Sequence, residues 1–292
     1  MNTTEYLSKW AISYKDDIIN NIMPFWMKYG LDKEHGGVYT CVNRDGSLID
    51  TTKSVWFQGR FGFIAAYAYN NIEKNHQWLA ASKSCIDFIE AHCFDTDGHM
   101  FFEVTEDGKP LRKRRYVFSE GFAAIAMAEY ALATGEKEYA KKALDIFKRT
   151  LHFLNTPGFL EPKYLPTLPS RGHSITMILI NTASRIRMVI DDPSLTEQID
   201  TSIAALRKYF IHPEFKALLE MVGPDGEFID TCNGRVINPG HCIETAWFIM
   251  EEAKYRNWDK DLLQLALQIL DWSWEWGWDK EFGGIINFRD CR

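Results

Sequence analysis

Asp32-Lys-Glu-His-Gly-Gly-Val38 returns near the other end of the chain as Asp279-Lys-Glu-Phe-Gly-Gly-Ile285. Weaker copies lie between them: Asp95-Thr-Asp-Gly-His-Met-Phe-Phe-Glu103, Asn155-Thr-Pro-Gly-Phe-Leu-Glu161 and Glu220-Met-Val-Gly-Pro-Asp-Gly-Glu-Phe228. Their first residues are spaced by roughly 60–65 positions, the length of a helix pair with its hairpin. Helical periodicity fills the intervals and predicts about nine helices, near 4–30, 55–73, 76–93, 118–134, 137–154, 173–190, 194–212, 241–256 and 259–277.

The predicted helices are of two kinds. Residues 137–154 set Ala140, Leu144, Phe147 and Leu151 against a face of Lys, Glu, Asp and Arg, and 259–277 do likewise. Gly121-Phe-Ala-Ala-Ile-Ala-Met-Ala128 and Ile175-Thr-Met-Ile-Leu-Ile180 are apolar or small all round, as in a helix enclosed by neighbours. Alternation of the two kinds is what two concentric rings require. The expected fold is therefore all-α, an (α/α)6 toroid of helix pairs joined by short β-hairpins. About nine of its twelve helices are expected in one domain over 1–292, leaving the ring incomplete.

Composition narrows the partners. Net charge is -7 and the pI near 5.7, which argues against nucleic acid or an anionic membrane. The basic run Arg112-Lys113-Arg114-Arg115 is expected in a solvated hairpin before a helix. No apolar stretch reaches the roughly 20 residues of a membrane span, and the first ten residues do not resemble a signal peptide. The six cysteines show no zinc spacing and read as reduced thiols, so a cytoplasmic protein is expected. Ten Trp and twelve Tyr are many for the length; most are expected in the core, with stacking on a sugar ring as the functional use of the rest. Of Trp272, Trp274, Trp276 and Trp278, at least half are expected in the core.

The four enclosed helices open on polar residues: Trp56-Phe-Gln-Gly-Arg60, Phe118-Ser-Glu120, Arg171-Gly-His173 and Asn238-Pro-Gly-His241. Ser119 and Asn238 suit N-caps, and Pro239 suits a first helical position. Parallel inner helices would gather Arg60, Glu120, His173 and His241 at one mouth. His241 and Glu244, three apart, share a helix face. The helix N-terminus disfavours the imidazolium at His241, a carboxylate at Glu244 favours it, and a base poised near neutral pH follows. A capping histidine paired with a glutamate fits the same spacing. HxxE alone is a weak metal signature, and no metal is expected. Arg60 could hold an oxyanion or neutralise Glu120. His173 fits a cap as well as a catalyst, Asn181 needs partners inside its apolar helix, and His35 and His99 read as turn residues. There is no phosphate-binding glycine loop and no serine or cysteine nucleophile signature.

At Val55–Arg60, Phe118–Glu129, Met177–Asn181, Asn238–Phe248 and Gly277–Gly284 the chain resembles the N-acylglucosamine 2-epimerase family, end to end and in family order. The resemblance implies an (α/α)6 barrel and an isomerase that inverts C2 of a reducing sugar, most simply N-acetyl-D-glucosamine to N-acetyl-D-mannosamine. It assigns catalysis to His241, Glu244 and Arg60, with the pocket lined by Asn181, His173, Glu120, Trp247 and Trp56. No cofactor is required; ATP enters as an activator by analogy alone. Family members continue past the position of Arg292 with further helices and a second catalytic histidine. Weak activity, or rescue by oligomerisation such as a homodimer, is therefore expected of an unclosed ring. The rival expectations are a cellobiose 2-epimerase or aldose–ketose isomerase of the same fold, an inactive sugar-binding remnant, and a glycoside hydrolase using Glu120 with Glu244.

Overall fold

The computed structural model describes residues 2–114 and 116–292. Its helices among those residues are α1 (Thr3–Asp17), α2 (Met23–Tyr29), α3 (Val55–Asn71), α4 (His76–His92), α5 (Phe118–Thr134), α6 (Lys137–Asn155), α7 (His173–Arg187), α8 (Pro193–Ala205), α9 (Pro239–Tyr255) and α10 (Lys260–Gly277). They follow the expected segments, with one split. The helix expected over 4–30 divides at a π-helical turn, Ile18–Ile22, where Met23 N–H reaches back to the Ile18 carbonyl. Pro24, in the first turn of α2, has no N–H to give, and the ladder lengthens just before it. None of the described helices is long and apolar enough to cross a membrane.

The chain forms two compact units, one of Met1–Glu161 with Met188–Ile190 and one of Pro162–Arg187 with Asp191–Arg292. In the first, α5 is buried without interruption from Ser119 to Ala131, whereas α6 buries one face. Small residues let α3 lie close to α5: a Cβ on Gly59 would sit 2.6 Å from the Phe122 carbonyl carbon. Contrary to expectation, α3 is not enclosed all round. Phe57, Arg60 and Ile64 are exposed, and their spacing makes one stripe along the helix. Nor does Ser119 cap α5. That helix starts at Phe118 without a side-chain cap, and Ser119 Oγ donates to the Phe101 carbonyl at 3.1 Å.

The Asp32 hairpin is locked into this unit. Asp32 Oδ1 accepts from Glu34 N at 2.9 Å and His35 N at 3.1 Å, and Gly36 and Gly37 take φ of 80° and 72°. Lys53, wholly buried, donates from Nζ to Asp32 Oδ2 at 2.7 Å and to the carbonyls of Gly36 and Glu106 at 2.8 Å. Gln58 of α3 accepts from Val38 N and donates to Val38 O, as a strand would.

The basic run before α5 lies in a hairpin strand with Arg112 and Lys113 exposed, as expected, and its side chains also find local partners. Lys113 bridges Asp95 and Asp97 at 2.7 and 2.6 Å, and the Arg112 and Arg114 guanidinium groups lie over Phe102. Arg115 lies outside the described residues.

In the second unit α9 packs on α10 and on α7, and α7 on α8. The Asp279 hairpin repeats the first in backbone detail, with Glu281 N and Phe282 N on Asp279 Oδ1 at 2.9 and 3.1 Å and φ of 72° and 87° at Gly283 and Gly284. The tryptophans of α10 are not core. Trp274 and Trp278 are exposed and stacked on each other at 5.0 Å, and Trp276 donates to the carbonyls of Phe215 and Lys216. Alternate positions on a helix point to opposed faces, so the inward places fall to Ser273 and Gly277 instead. Cys85, Cys93, Cys242 and Cys291 are buried free thiols; Cys41 and Cys232 are free and exposed.

Candidate active site

A short antiparallel ladder builds the site of the second unit. Arg171–Gly172, leading into α7, pairs with Met221–Val222, and the register carries on so that His173 N donates to the Glu220 carbonyl at 3.0 Å. On the other side, Glu220 N donates to the Val236 carbonyl at 3.1 Å, just before the chain enters α9. Glu220 thus sits between the starts of two helices, each beginning at or near a histidine. Asn238 caps α9, its Oδ1 accepting from His241 N at 3.1 Å, and Pro239 takes the first helical position.

The side chains converge as the backbone does. His241 Nδ1 lies 2.8 Å from Glu220 Oε1, and His173 Nδ1 lies 3.4 Å from the same oxygen. His173 Nε2 is 2.9 Å from Thr245 Oγ1, and Thr245 Oγ1 donates to the His241 carbonyl at 2.8 Å. His173 is completely buried, while the His241 side chain is 39% exposed. Burial pushes the Glu220 carboxyl up, but the hydrogen bonds and charges of His173 and His241 outweigh it and hold the group down at about 2. Glu220 is therefore an anion at neutral pH. A carboxylate can only accept, so His241 presents Nδ1–H to it, which leaves Nε2 as the basic nitrogen of the ring. That is the arrangement of an oriented general base.

The carboxylate that fixes the His241 tautomer is thus Glu220, not Glu244. Glu244 is half-buried on α9 and has no hydrogen-bond or ion-pair partner among the described residues. Trp247 is exposed and contacts Phe248, and Asn181 is half-buried about two turns into α7 from His173. His173 is neither a simple cap nor open to a substrate, being enclosed and bonded on both nitrogens.

The remaining expected residues belong to the first unit. Trp56 is half-buried and packs edge-on against Phe102, Phe118 and Phe122. The Arg60 guanidinium lies 4.4 Å over the Phe122 ring and has no carboxylate partner among the described residues, so it does not neutralise Glu120. Glu120 is 1% exposed and committed elsewhere, its Oε1 receiving His99 Nδ1 at 2.5 Å and Met100 N at 2.7 Å. That buried pairing removes Glu120 as half of a hydrolase acid pair. It also makes His99 a buried partner rather than a turn residue. Burial pushes the His99 imidazole down, and the hydrogen bond and charge of Glu120 outweigh it and hold it above its usual value.

Sequence reasoning missed Glu220 and Thr245 as site residues. Glu220 carried a signal: it begins one of the repeat copies, an acid directly after the apolar Ala217-Leu-Leu219. Thr245 stands four residues after His241, on its face, as Glu244 stands three after it.

Comparison with known proteins covers most of the chain. The chain is 29% identical over 282 residues to the N-acylglucosamine 2-epimerase of Rattus norvegicus, covering 94% of this chain and 67% of that protein. The human N-acylglucosamine 2-epimerase is likewise 29% identical, with 94% and 66% covered. The chain spans about two thirds of the length of these relatives. Among solved structures, the cellobiose 2-epimerase of Bacillus thermoamylovorans superposes with a TM-score of 0.84 at 20% identity, over 97% of this chain and 76% of that one. This likeness shows the fold, all-α and of the (α/α)6-barrel type. The sequence profile of N-acylglucosamine 2-epimerase (GlcNAc 2-epimerase) matches residues 37–292, and with the helix pairs, the repeated hairpins and the histidine heading α9 it settles the matter: the chain belongs to the N-acylglucosamine 2-epimerase family.

Proposed function

We propose that this chain is a carbohydrate 2-epimerase that interconverts N-acetyl-D-glucosamine and N-acetyl-D-mannosamine through the open-chain sugar. The observation that carries the proposal is His241 at the head of α9, half-exposed, with Nδ1 held by an ionised Glu220. In the open form the C2 hydrogen lies beside an aldehyde, and removing it gives an enolate rather than a localised carbanion. His241 Nε2 takes that proton. Delivery of a proton from solvent to the opposite face inverts C2, with the proton on His241 released to solvent, and return of the His241 proton to the same face regenerates the starting sugar. The acyl branch is favoured over cellobiose because the N-acylglucosamine 2-epimerases match nearly the whole chain at 29% identity.

Arg60 is the cation proposed for the developing enolate oxygen. Support comes from its exposed guanidinium, which has no carboxylate partner among the described residues, and from the family match that includes Val55–Arg60. Glu244, Asn181, Trp247 and Trp56 are proposed to contact the sugar, with stacking as the use of the exposed Trp247 ring. In its wider form the proposal is a cytoplasmic homodimer that requires no metal or organic cofactor and takes ATP as an activator.

Proton NMR of N-acetylmannosamine in D₂O with the purified chain tests the reaction. Deuterium at C2 together with N-acetylglucosamine is the expected result. Deuterium without the new epimer would limit His241 to one face. No exchange by a folded chain, alongside exchange at C2 of cellobiose, would overturn the choice of sugar.

A further inference from the structure

The residues that orient His241 also have the donor set of a metal site. We propose that the chain binds one divalent transition-metal ion, Zn²⁺ as its representative, through His173 Nδ1, Glu220 and His241 Nδ1, and that the bound ion silences His241 as a base. The binding claim stands on geometry alone; the silencing rests on the role proposed for His241 above.

The three ligand atoms lie within 4.8 Å of one another. Thr245 spends its one hydroxyl proton on the His241 carbonyl, so His173 must donate Nε2–H to Thr245. Nδ1 of this completely buried imidazole is then aimed at a carboxylate oxygen 3.4 Å away. A neutral His173 would set two acceptors against each other there, so the contact needs a cation to bridge it, a proton on Nδ1 or a metal ion in its place. The separation exceeds the roughly 2.7–2.9 Å of a charge-assisted N–H···O⁻ bond. It agrees with the roughly 3.3 Å between two ligands of a tetrahedral zinc whose bonds are about 2.0–2.1 Å.

His241 Nδ1, at 2.8 Å from the same oxygen, needs to move out by about half an ångström to join them. Two imidazoles and one carboxylate are the three protein ligands of many zinc sites with an open fourth position, and the half-exposed His241 gives the ion a way in. Thr245 then plays the outer part, fixing the His173 ring so that Nδ1 faces the metal. Coordination at His241 Nδ1 moves its proton to Nε2, the nitrogen that would otherwise accept from C2.

The test titrates the whole chain, stripped by chelator, with Zn²⁺ against a chromophoric indicator. Co²⁺ serves as a spectroscopic substitute whose visible bands report four-coordination. One ion per chain and tetrahedral Co²⁺ bands are expected, lost in His173→Ala and in Glu220→Gln, with circular dichroism confirming the fold. Thr245→Val, which keeps all three ligands, is expected to weaken binding by roughly 10–100-fold. No stoichiometric Zn²⁺ binding would overturn the site. So would binding that survives in both ligand variants, which would place the ion on other groups such as the exposed Cys41 or Cys232. Stoichiometric Zn²⁺ that leaves C2 exchange undiminished would overturn the silencing. Exchange that occurs without any metal binding would support the proposed function and sink this inference alone.

Discussion

Replacing Glu220 with glutamine changes no shape and removes one charge, and its effect can be worked from the contacts. Glu220 Oε1 accepts from His241 Nδ1 at 2.8 Å, a charge-assisted hydrogen bond worth about 1.5–3 kcal/mol. Loss of that term alone, at about 1.4 kcal/mol per tenfold, slows proton abstraction by roughly 10–150-fold. Glutamine can do further harm, because its amide NH₂ can donate to His241 Nδ1. The imidazole then carries its proton on Nε2, where the base should be. In serine proteases the equivalent carboxylate-to-amide change costs about 10⁴ in kcat through the wrong tautomer. The expected loss for Glu220→Gln is therefore about 10²–10⁴-fold.

The assay is C2 deuterium exchange of N-acetylmannosamine followed by proton NMR, paired with the ¹⁵N shifts of the His241 ring. The shifts report the tautomer whether or not turnover is measurable. Wild type should show Nδ1–H and the variant a shift towards Nε2–H. A loss of less than tenfold with Nδ1–H retained would refute the assignment of Glu220 as the group that positions His241.

Lys53→Met should cost about 3–5 kcal/mol, read as a lowered denaturation midpoint, since it strands the Asp32 carboxylate inside the hairpin; a cost below about 1 kcal/mol would contradict the buried pairing. Gly59→Ala should cost about 1–3 kcal/mol, because its Cβ would meet the Phe122 backbone at 2.6 Å and α3 must back away from α5; an unchanged midpoint would show that the helices do not touch there. The raised His99 gives stability that is fully present below about pH 6.5 and is lost as pH rises through its folded value. Chemical denaturation at stepped pH should show that slope, and His99→Gln should flatten it; a slope unchanged by the substitution would assign it to other groups.

Helices were legible because they are local. The apolar spacing in α6 and α10 and the Asn238-Pro239 start of α9 need only neighbouring residues to take effect. His241 was legible for the same reason. Glu220 was not, because what places it beside both histidines is the ladder between residues 171–172 and 221–222, formed across 47 positions from His173 to Glu220. Side-chain direction was equally hidden. Glu120 sits in the first turn of α5, as expected, yet it is held by His99 and the Met100 backbone, because a buried carboxylate takes the nearest donors. The alternating tryptophans of α10 were misjudged by counting hydrophobicity without applying the 100° step of a helix.

The two copies of the opening heptapeptide separate these levels within one molecule. Asp32 and Asp279 each accept from the backbone two and three residues on, and each is followed by paired glycines at positive φ, so the turn follows from the seven residues themselves. Their surroundings differ. The first copy meets Lys53 and Gln58 and buries Val38 to 2% exposure, while Ile285 at the matching place is 40% exposed. Burial is therefore decided by residues some twenty positions away, not by the motif. His241 obeys the same division. Asn238-Pro-Gly-His241 sets where the imidazole stands, but what the imidazole can do is decided by Glu220 from another strand and Thr245 one turn on. A glutamate at the third position after the histidine, Glu244, fits the sequence pattern of a partner just as well, and it holds neither ring. The chemistry open to His241 is thus written in strand pairing as much as in the motif that marks it. Substitutions at Arg171–Gly172 or Met221–Val222 that shift the ladder by one residue would turn Glu220 to the opposite face and leave His241 in place without its anchor.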